Sequence, residues 1–127
     1  MIRLARPDVQ IIATEPAGAA LLSGEPFTPH KIQGWTPDFV PAVLDRTVPH
    51  GVLPVTDAEA IETPRALARS EGIFCGISSG GTFAAALKVA DEAPKGSVIL
   101  AMLPDTGERY LSTALFEGIA EGSDPEP

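Results

Sequence analysis

The chain has 127 residues, 44% of them hydrophobic and 20% charged, a composition typical of one small globular domain. Its net charge is −8, so it lacks the basic face that nucleic acids and anionic membranes require. No apolar run is long enough to span a bilayer, no segment resembles a signal peptide, and one cysteine cannot form an internal disulfide. We therefore expect a cytoplasmic protein without nucleic-acid or membrane partners.

Strand-like and helix-like runs alternate along the chain, which is typical of parallel α/β proteins. The first predicted strand covers residues 9–14, and a short helix over 17–22 follows and ends at Gly24. The next predicted strand is short, over residues 52–55, and Pro54 within it indicates a sheet edge or a strand end.

The next helix has clear start and stop signals. Thr56 and Glu59 have the spacing of a capping box, and Gly72 marks the end of the helix. Pro64 falls inside this helix, removes one backbone donor and predicts a kink.

Two further strands are predicted over residues 73–77 and 97–103, with a helix over 82–92 between them. The second of these strands is continuously apolar, which favours a sheet covered on both faces. Cys75 lies within the first, where a small buried hydrophobe is favoured over a nucleophile. The sequence thus predicts a three-layer α/β domain with a parallel sheet of about four strands over residues 1–116, and a disordered tail over 117–127.

A strand-to-helix turn of small residues, Gly76–Thr82, is the most informative motif. Glycines allow a ligand to approach the backbone, and the first N–H groups of a helix attract anions. The alternative is that Ser78 or Ser79 merely caps the helix while the glycines allow close packing. A second loop, residues 104–107, also follows a predicted strand, so both loops are expected at one sheet edge, where ligands collect.

Three motifs occur in one order: Lys-Ile-Gln-Gly at 31–34, Gly-Ile-Ser-Ser-Gly at 76–80, and Leu-Pro-Asp-Thr-Gly-Glu-Arg-Tyr-Leu-Ser-Thr at 103–113. In this order they resemble the C-terminal part of cysteine synthase, also called O-acetylserine sulfhydrylase. That family consists of fold-type II pyridoxal-phosphate enzymes and is related to cystathionine β-synthase and to the tryptophan synthase β chain. The resemblance implies a dimeric amino-acid biosynthetic enzyme with pyridoxal 5'-phosphate as cofactor.

The resemblance also implies roles for individual residues at the cofactor. Ser78 matches the serine that hydrogen-bonds the pyridine nitrogen, Pro104 matches the proline beside the ring, and Gly76, Ser79 and Asp105 complete the expected cofactor contacts. A neutral hydroxyl leaves the ring a weaker electron sink than an aspartate would. This suits β-elimination from O-acetylserine followed by sulfide addition, which gives cysteine and acetate.

Two departures from the family pattern leave alternatives open. Where the family has a small-residue Gly-x-Gly-x-Gly-Phe loop at the substrate cleft, this chain has Gly34-Trp35. Trp35 either narrows the substrate pocket or packs against a neighbouring domain surface. Asp105 either faces the cofactor ring or, with Glu108, caps the last helix.

The lysine that holds the cofactor as a Schiff base in this family has no counterpart in this chain. The three lysines at positions 31, 88 and 95 do not match its motif, and the phosphate loop and substrate-carboxylate loop are also missing. No catalytic residue is therefore assigned to this chain, and we expect it to be inactive alone. His30 and His50 stand apart without other ligands at suitable spacing, so no metal site is expected.

We therefore interpret the chain as the C-terminal portion of a cysteine synthase that acts on an amino-acid substrate and pairs with a complementary N-terminal half or with its own copies. The alternative is a free-standing, non-catalytic module that binds a small anion or a protein partner through the Gly76–Thr82 turn. A nucleotide-binding half-domain is disfavoured, because no Gly-x-Gly-x-x-Gly motif follows the first strand.

Overall fold

The computed structural model describes residues 1–119, which form an α/β arrangement of a small parallel sheet and two long helices. The elements in chain order are α1 (Ile2–Ala5), β1 (Ile12–Pro16), two 3₁₀ turns (Ala17–Ala19 and Leu21–Ser23), β2 (Gly51–Val55), α2 (Asp57–Glu71), α3 (Ile77–Glu92) and a 3₁₀ turn (Gly107–Tyr110). The predicted α/β class is confirmed.

The sheet of the described residues consists of β1 and β2, which pair in parallel from Ile12 opposite Gly51 to Pro16 opposite Val55. The short helix expected after the first strand is a pair of 3₁₀ turns, and it ends at Gly24 as predicted, with a left-handed φ of 86°. Glu15 of β1 is buried, and its carboxylate accepts a hydrogen bond from the backbone of that region, the Leu22 N–H, at 2.8 Å. The strand and the turns after it are therefore locked together.

The start and stop signals of α2 are confirmed. Thr56 is the N-cap, its hydroxyl accepts from the Glu59 N–H at 3.2 Å, and the Glu59 carboxylate accepts from the Thr56 N–H at 2.8 Å. Gly72 ends the helix with a φ of 67°. α2 continues as one element past Pro64, whose ring is buried.

The buried face of α2 packs directly on α3. A β-carbon on Gly80 of α3 would overlap the Pro64 ring and would lie 2.6 Å from the Ala60 carbonyl oxygen, so the two backbones approach more closely than a larger residue would allow. On the outer side, Lys88 of α3 pairs with Glu59 at 2.8 Å. The core beneath joins both helices to the sheet and to the C-terminal segment, and its buried members are Ile32, Val55, Ala60, Ile77, Ala84, Ala85, Tyr110 and Leu115.

The two other predicted strands do not pair in a sheet among the described residues. Of residues 73–77, only Cys75 makes an isolated antiparallel bridge, with Thr106, and residues 97–103 form no ladder. A strand requires a neighbouring backbone along its length to satisfy its N–H and C=O groups, and in the described part of the chain residues 73–77 meet one only around Thr106 and Gly107. The sheet accordingly has two strands rather than about four.

The apolar run at residues 97–103 is exposed, contrary to the prediction that it is covered on both faces. Val98, Leu100 and Met102 are 97%, 95% and 70% exposed, and these alternating positions correspond to one face of an extended strand. Such a surface favours pairing with other polypeptides. No helix in the described part of the chain has the length and apolarity needed to cross a membrane.

Residues 120–127 of the predicted disordered tail lie outside the described residues. The beginning of that segment is held in place, because Arg65 of α2 donates hydrogen bonds to the carbonyl oxygens of Leu115 at 2.7 Å and Glu117 at 3.1 Å. Leu115 is fully buried in the core.

We predict that the chain self-associates through the exposed run at residues 97–103, because its unpaired backbone and apolar side chains lose water on pairing. Light scattering over a series of concentrations should show a mass that rises with concentration, and Leu100→Lys should lower it. Leu4→Lys, which changes an equally accessible leucine on α1, serves as the control and should have little effect. A monomer at every concentration would contradict this prediction.

Candidate functional site

The Gly76–Thr82 motif forms the first turns of α3 rather than a loop before it. α3 begins at Ile77 instead of residue 82, and Gly76 is the N-cap, with no side chain to cap the helix. Ser78 and Ser79 lie inside the first turn, so the alternative that one of them is the N-cap is wrong. Both serines are buried, and Ser79 has no exposed surface.

Ser79 connects α3 to the loop that follows residues 97–103. Its hydroxyl donates to Asp105 Oδ1 at 2.9 Å, and Tyr110 donates its phenolic hydroxyl to Asp105 Oδ2. We refer to these three residues as the Ser79–Asp105–Tyr110 cluster. Since both carboxylate oxygens of Asp105 accept bonds within the cluster, the cluster fixes the loop against the first turn of α3.

Asp105 does not cap the last helix, contrary to one of the two sequence-based interpretations. The 3₁₀ turn Gly107–Tyr110 has Thr106 at its N-cap position and no side-chain cap hydrogen bond. The Asp105 side chain turns back toward α3 instead. Its other interpretation, as a carboxylate near a cofactor ring, stays a prediction.

The cluster also determines the protonation of its neighbours. The hydrogen bond to Asp105, together with burial and the Asp105 charge, raises the pKa of Tyr110 to about 12, so the phenol remains a donor at neutral pH. Burial, and then the Asp105 charge, raise the pKa of the Cys75 thiol. Because a thiolate is disfavoured there, the structure supports the interpretation of Cys75 as a small buried hydrophobe.

The Ser78 hydroxyl differs from that of Ser79 in having no hydrogen-bond partner within the described residues. In that part of the chain, no fully buried polar side-chain atom lacks a partner, so the Ser78 hydroxyl oxygen keeps some accessible surface, although the residue as a whole is only 7% exposed. Pro104 is exposed and precedes Asp105 directly. An available hydroxyl donor thus lies on the turn of α3 to which the Pro104–Asp105 loop is bound.

The glycines of the motif are accounted for by packing rather than by an open backbone cradle. A β-carbon on Gly76 would overlap the Asp105 carboxylate and lie 2.5 Å from the Tyr110 ring. A β-carbon on Gly81 would lie 2.8 Å from the Trp35 indole. Together with the Gly80 contact to α2, each glycine meets another part of this chain, as the packing alternative predicts.

The Trp35 side chain packs against Gly81, which lies about one turn beyond Ser78 in α3. It is half-buried against the core. It therefore packs within this chain and not only on a neighbouring domain surface. Gly34 before it is exposed with a left-handed φ of 84°, which favours glycine at that position. The structure thus brings the predicted substrate-cleft residues to the same end of α3 as the predicted cofactor contacts.

The predicted site residues have no lysine beside them in the described part of the chain. Lys88 is ten residues beyond Ser78 on α3, about 15 Å along the helix axis, and it pairs with Glu59. The backbone N–H of Lys31 donates a hydrogen bond to the Asp57 carboxylate at the start of α2, so Lys31 lies near that helix end. Lys95 lies in the turn after α3. Within residues 1–119, no group of His, Cys, Asp and Glu residues could hold a metal ion.

Tyr110 is the site residue that the sequence pattern did not reveal. Its position five residues after Asp105 becomes informative only when the intervening 3₁₀ turn folds back. Gly107 allows this fold, because a β-carbon there would lie 2.6 Å from the Phe74 ring. The cluster therefore depends on a close approach that the sequence pattern does not reveal.

Comparison with known proteins identifies similar sequences and structures. A family model described as pyridoxal-phosphate dependent enzyme matches residues 1–105. O-ureido-L-serine synthase of Streptomyces lavendulae is 56% identical over 124 residues, and cysteine synthase of Staphylococcus aureus strain N315 is 41% identical over 110 residues. A crystal structure of O-ureido-L-serine synthase superposes with a TM-score of 0.93 at 56% identity, and a cysteine synthase from Entamoeba histolytica with 0.88 at 36%.

These similarities extend over nearly all of this chain but a minor part of the relatives. The S. lavendulae match covers 98% of the chain and 38% of that enzyme, and the S. aureus match covers 87% and 36%. The superposed structures are covered to 39% for O-ureido-L-serine synthase and 36% for the E. histolytica enzyme. The chain thus spans well under half the length of the proteins it resembles.

We predict that Gly76→Ala destabilises the fold by ~1–3 kcal/mol, because the added methyl overlaps Asp105 and Tyr110 and forces the loop away from α3. Gly18→Ala is the matched control, since a β-carbon there meets its nearest atom at an ordinary 3.6 Å. Urea unfolding of both variants measures the difference. Equal stability of the two would show that the contact at Gly76 is not tight.

The single tyrosine of the chain allows a second prediction, on pH. The pKa of Tyr110 is higher in the folded protein than the ordinary 10.0, so its bond to Asp105 contributes fully below pH 10.0 and is lost as the pH rises through about 12. Near-ultraviolet absorbance should show tyrosinate forming with a midpoint near 12, and Asp105→Asn should move the midpoint toward 10.0. A wild-type midpoint at 10.0 with native circular dichroism would rule out the bond.

Proposed function

Because the chain belongs to the family of pyridoxal-phosphate dependent enzymes, we propose that it is the carboxyl-terminal portion of an enzyme that replaces the β-substituent of an activated serine. In this proposal it supplies the wall of the cofactor site beside the pyridine ring. The order of the three cysteine-synthase-like motifs supports the assignment to the carboxyl-terminal portion. The available Ser78 hydroxyl is the observation that carries the proposal.

Ser78 would donate a hydrogen bond to the pyridine nitrogen of the cofactor. A neutral hydroxyl does not keep that nitrogen protonated as a carboxylate would. Asp105 is bonded to Ser79 and Tyr110, so its charge is already engaged when the ring binds. Bound pyridoxal phosphate would supply the electron sink needed to expel the β-substituent, and a hydroxyl partner tunes that sink toward β-replacement.

The other residues of this wall would position the cofactor ring and exclude water. Pro104 would lie against the ring, and Gly76 would keep the loop that carries Pro104 in contact with α3. Trp35, packed on Gly81, would border the substrate and keep water from that side of the site. None of these residues transfers a proton in this proposal, so the lysine that does so in the whole enzyme must come from the part of the fold that this chain does not contain.

The identity of the product is a narrower question. O-ureido-L-serine synthase is the more similar of the two relatives, at 56% identity against 41% for cysteine synthase. A replacement that forms O-ureido-L-serine requires hydroxyurea as nucleophile by atom balance, whereas one that forms cysteine requires sulfide. The higher identity favours O-ureido-L-serine as product, with cysteine formation as the second candidate.

We predict that the chain alone makes neither product and that activity requires the missing part of the fold. The chain is mixed with the portion of the S. lavendulae enzyme that it does not cover, and pyridoxal phosphate is added. The absorbance of the bound cofactor and product formation from O-acetylserine with hydroxyurea or sulfide are measured. Both should appear only in the mixture, and the ratio of the two products identifies the nucleophile.

Ser78→Ala in the mixture should weaken cofactor binding about tenfold, the equivalent of one hydrogen bond. Ser70→Ala is the control, because Ser70 bonds a carbonyl of its own helix on the exposed side of α2. Cysteine formation by the unmixed chain would overturn the prediction that it is inactive. Phosphate binding by the chain together with an inactive mixture would favour the alternative of a non-catalytic anion-binding module.

A further inference from the structure

We propose that Asp105 is a positioning residue that, through Ser79 and Tyr110, holds the first turn of α3 and thereby fixes the direction of the Ser78 hydroxyl. The clamp, by which we mean the attachment of α3 to the Asp105 loop through the Ser79–Asp105–Tyr110 cluster, is a property of this chain. Its purpose, the presentation of Ser78 to a pyridine ring, rests on the proposed function.

Two adjacent serines of α3 differ in their hydrogen bonding. Ser79 has no exposed surface, and its hydroxyl lies 2.9 Å from Asp105 Oδ1, whereas the hydroxyl of Ser78 has no hydrogen-bond partner within the described residues. Consecutive residues of a helix point about 100° apart, so fixing one fixes the direction of the other. The bond made by Ser79 therefore sets where the Ser78 hydroxyl points.

Asp105 is held from two sides. Tyr110 donates to its second oxygen, and the Asp105 N–H lies 3.4 Å from the Ser79 hydroxyl oxygen. A carboxylate that accepts from two hydroxyls has a fixed rotamer and orientation. The loop thus cannot slide along α3 without breaking charge-assisted hydrogen bonds.

The amino-terminal end of α3 has no side-chain cap. Gly76 has no side chain to satisfy the first N–H groups, and a helix terminus without a cap frays. The clamp holds this uncapped turn from outside the helix by packing, because Gly76 lies against Asp105 and Tyr110. Without it, we expect the turn that carries Ser78 to open locally.

Amide hydrogen exchange of the full chain tests the clamp without any ligand. Two reporters flank it: the Gly80 N–H, which bonds the Gly76 carbonyl at 3.0 Å, and the Gly107 N–H, which bonds the Phe74 carbonyl at 3.2 Å. Asp105→Ala should speed exchange at both by about tenfold or more, the equivalent of one lost hydrogen bond. The Gly72 N–H at the end of α2 is the internal reference and should not change.

Asp105→Asn should restore most of the protection, since an amide of the same shape can still accept from one hydroxyl and donate to the other. Ser70→Ala should leave both reporters unchanged. Unaltered exchange in Asp105→Ala would overturn the clamp, and so would equal acceleration at Gly72, which would indicate global destabilisation. Because no cofactor is present, these outcomes are independent of the proposed function.

A double-mutant cycle in the mixture with the S. lavendulae portion tests the link to Ser78. If Asp105 acts through Ser78, Asp105→Ala weakens pyridoxal phosphate binding by up to tenfold, and adding it to Ser78→Ala causes no further loss. Multiplicative losses would refute the link while leaving the clamp intact. A mixture that binds no cofactor would count against the proposed function, and the exchange result would still decide the clamp.

Discussion

The close contact between α2 and α3 is the constraint on which the rest of the structure depends. At Gly80 there is no room for a methyl group between the two helices, because the Pro64 ring and the Ala60 carbonyl lie where it would be. This contact fixes the position of α3 against α2 and therefore where the first turn of α3 lies. Ser78 and Ser79 occupy their positions because Gly80 permits the approach.

Local signals in the sequence were sufficient for the elements that depend on local interactions. Thr56, Glu59 and Gly72 predicted both ends of α2, because capping bonds and a left-handed glycine are encoded within a few residues. The order of motifs predicted the family, since such motifs carry information that periodicity lacks. The predicted site residues do gather around one end of α3, but not for the predicted reason. Neither of the two strands expected to place their loops at a sheet edge forms a ladder, and the Ser79–Asp105 hydrogen bond joins the second loop to α3 instead.

Features that depend on distant contacts could not be predicted. Residues 97–103 have the composition of a buried strand, but a sheet forms only when another backbone is beside it, and composition does not say whether one is present. The start of α3 was misplaced because glycines and serines resemble a turn unless they are packed from outside. The pairing of Asp105 with Tyr110 required a folded 3₁₀ turn that local propensity does not specify.

The only tryptophan and the only tyrosine of the chain contact opposite ends of the Gly76–Thr82 motif. Trp35 packs on Gly81, and Tyr110 packs beside Gly76. The intrinsic fluorescence of the protein therefore originates entirely from this site. A change in emission wavelength reports on Trp35, and energy transfer from tyrosine to tryptophan reports on the separation across the turn. Intrinsic fluorescence thus reports on the conformation of the candidate site without an added label.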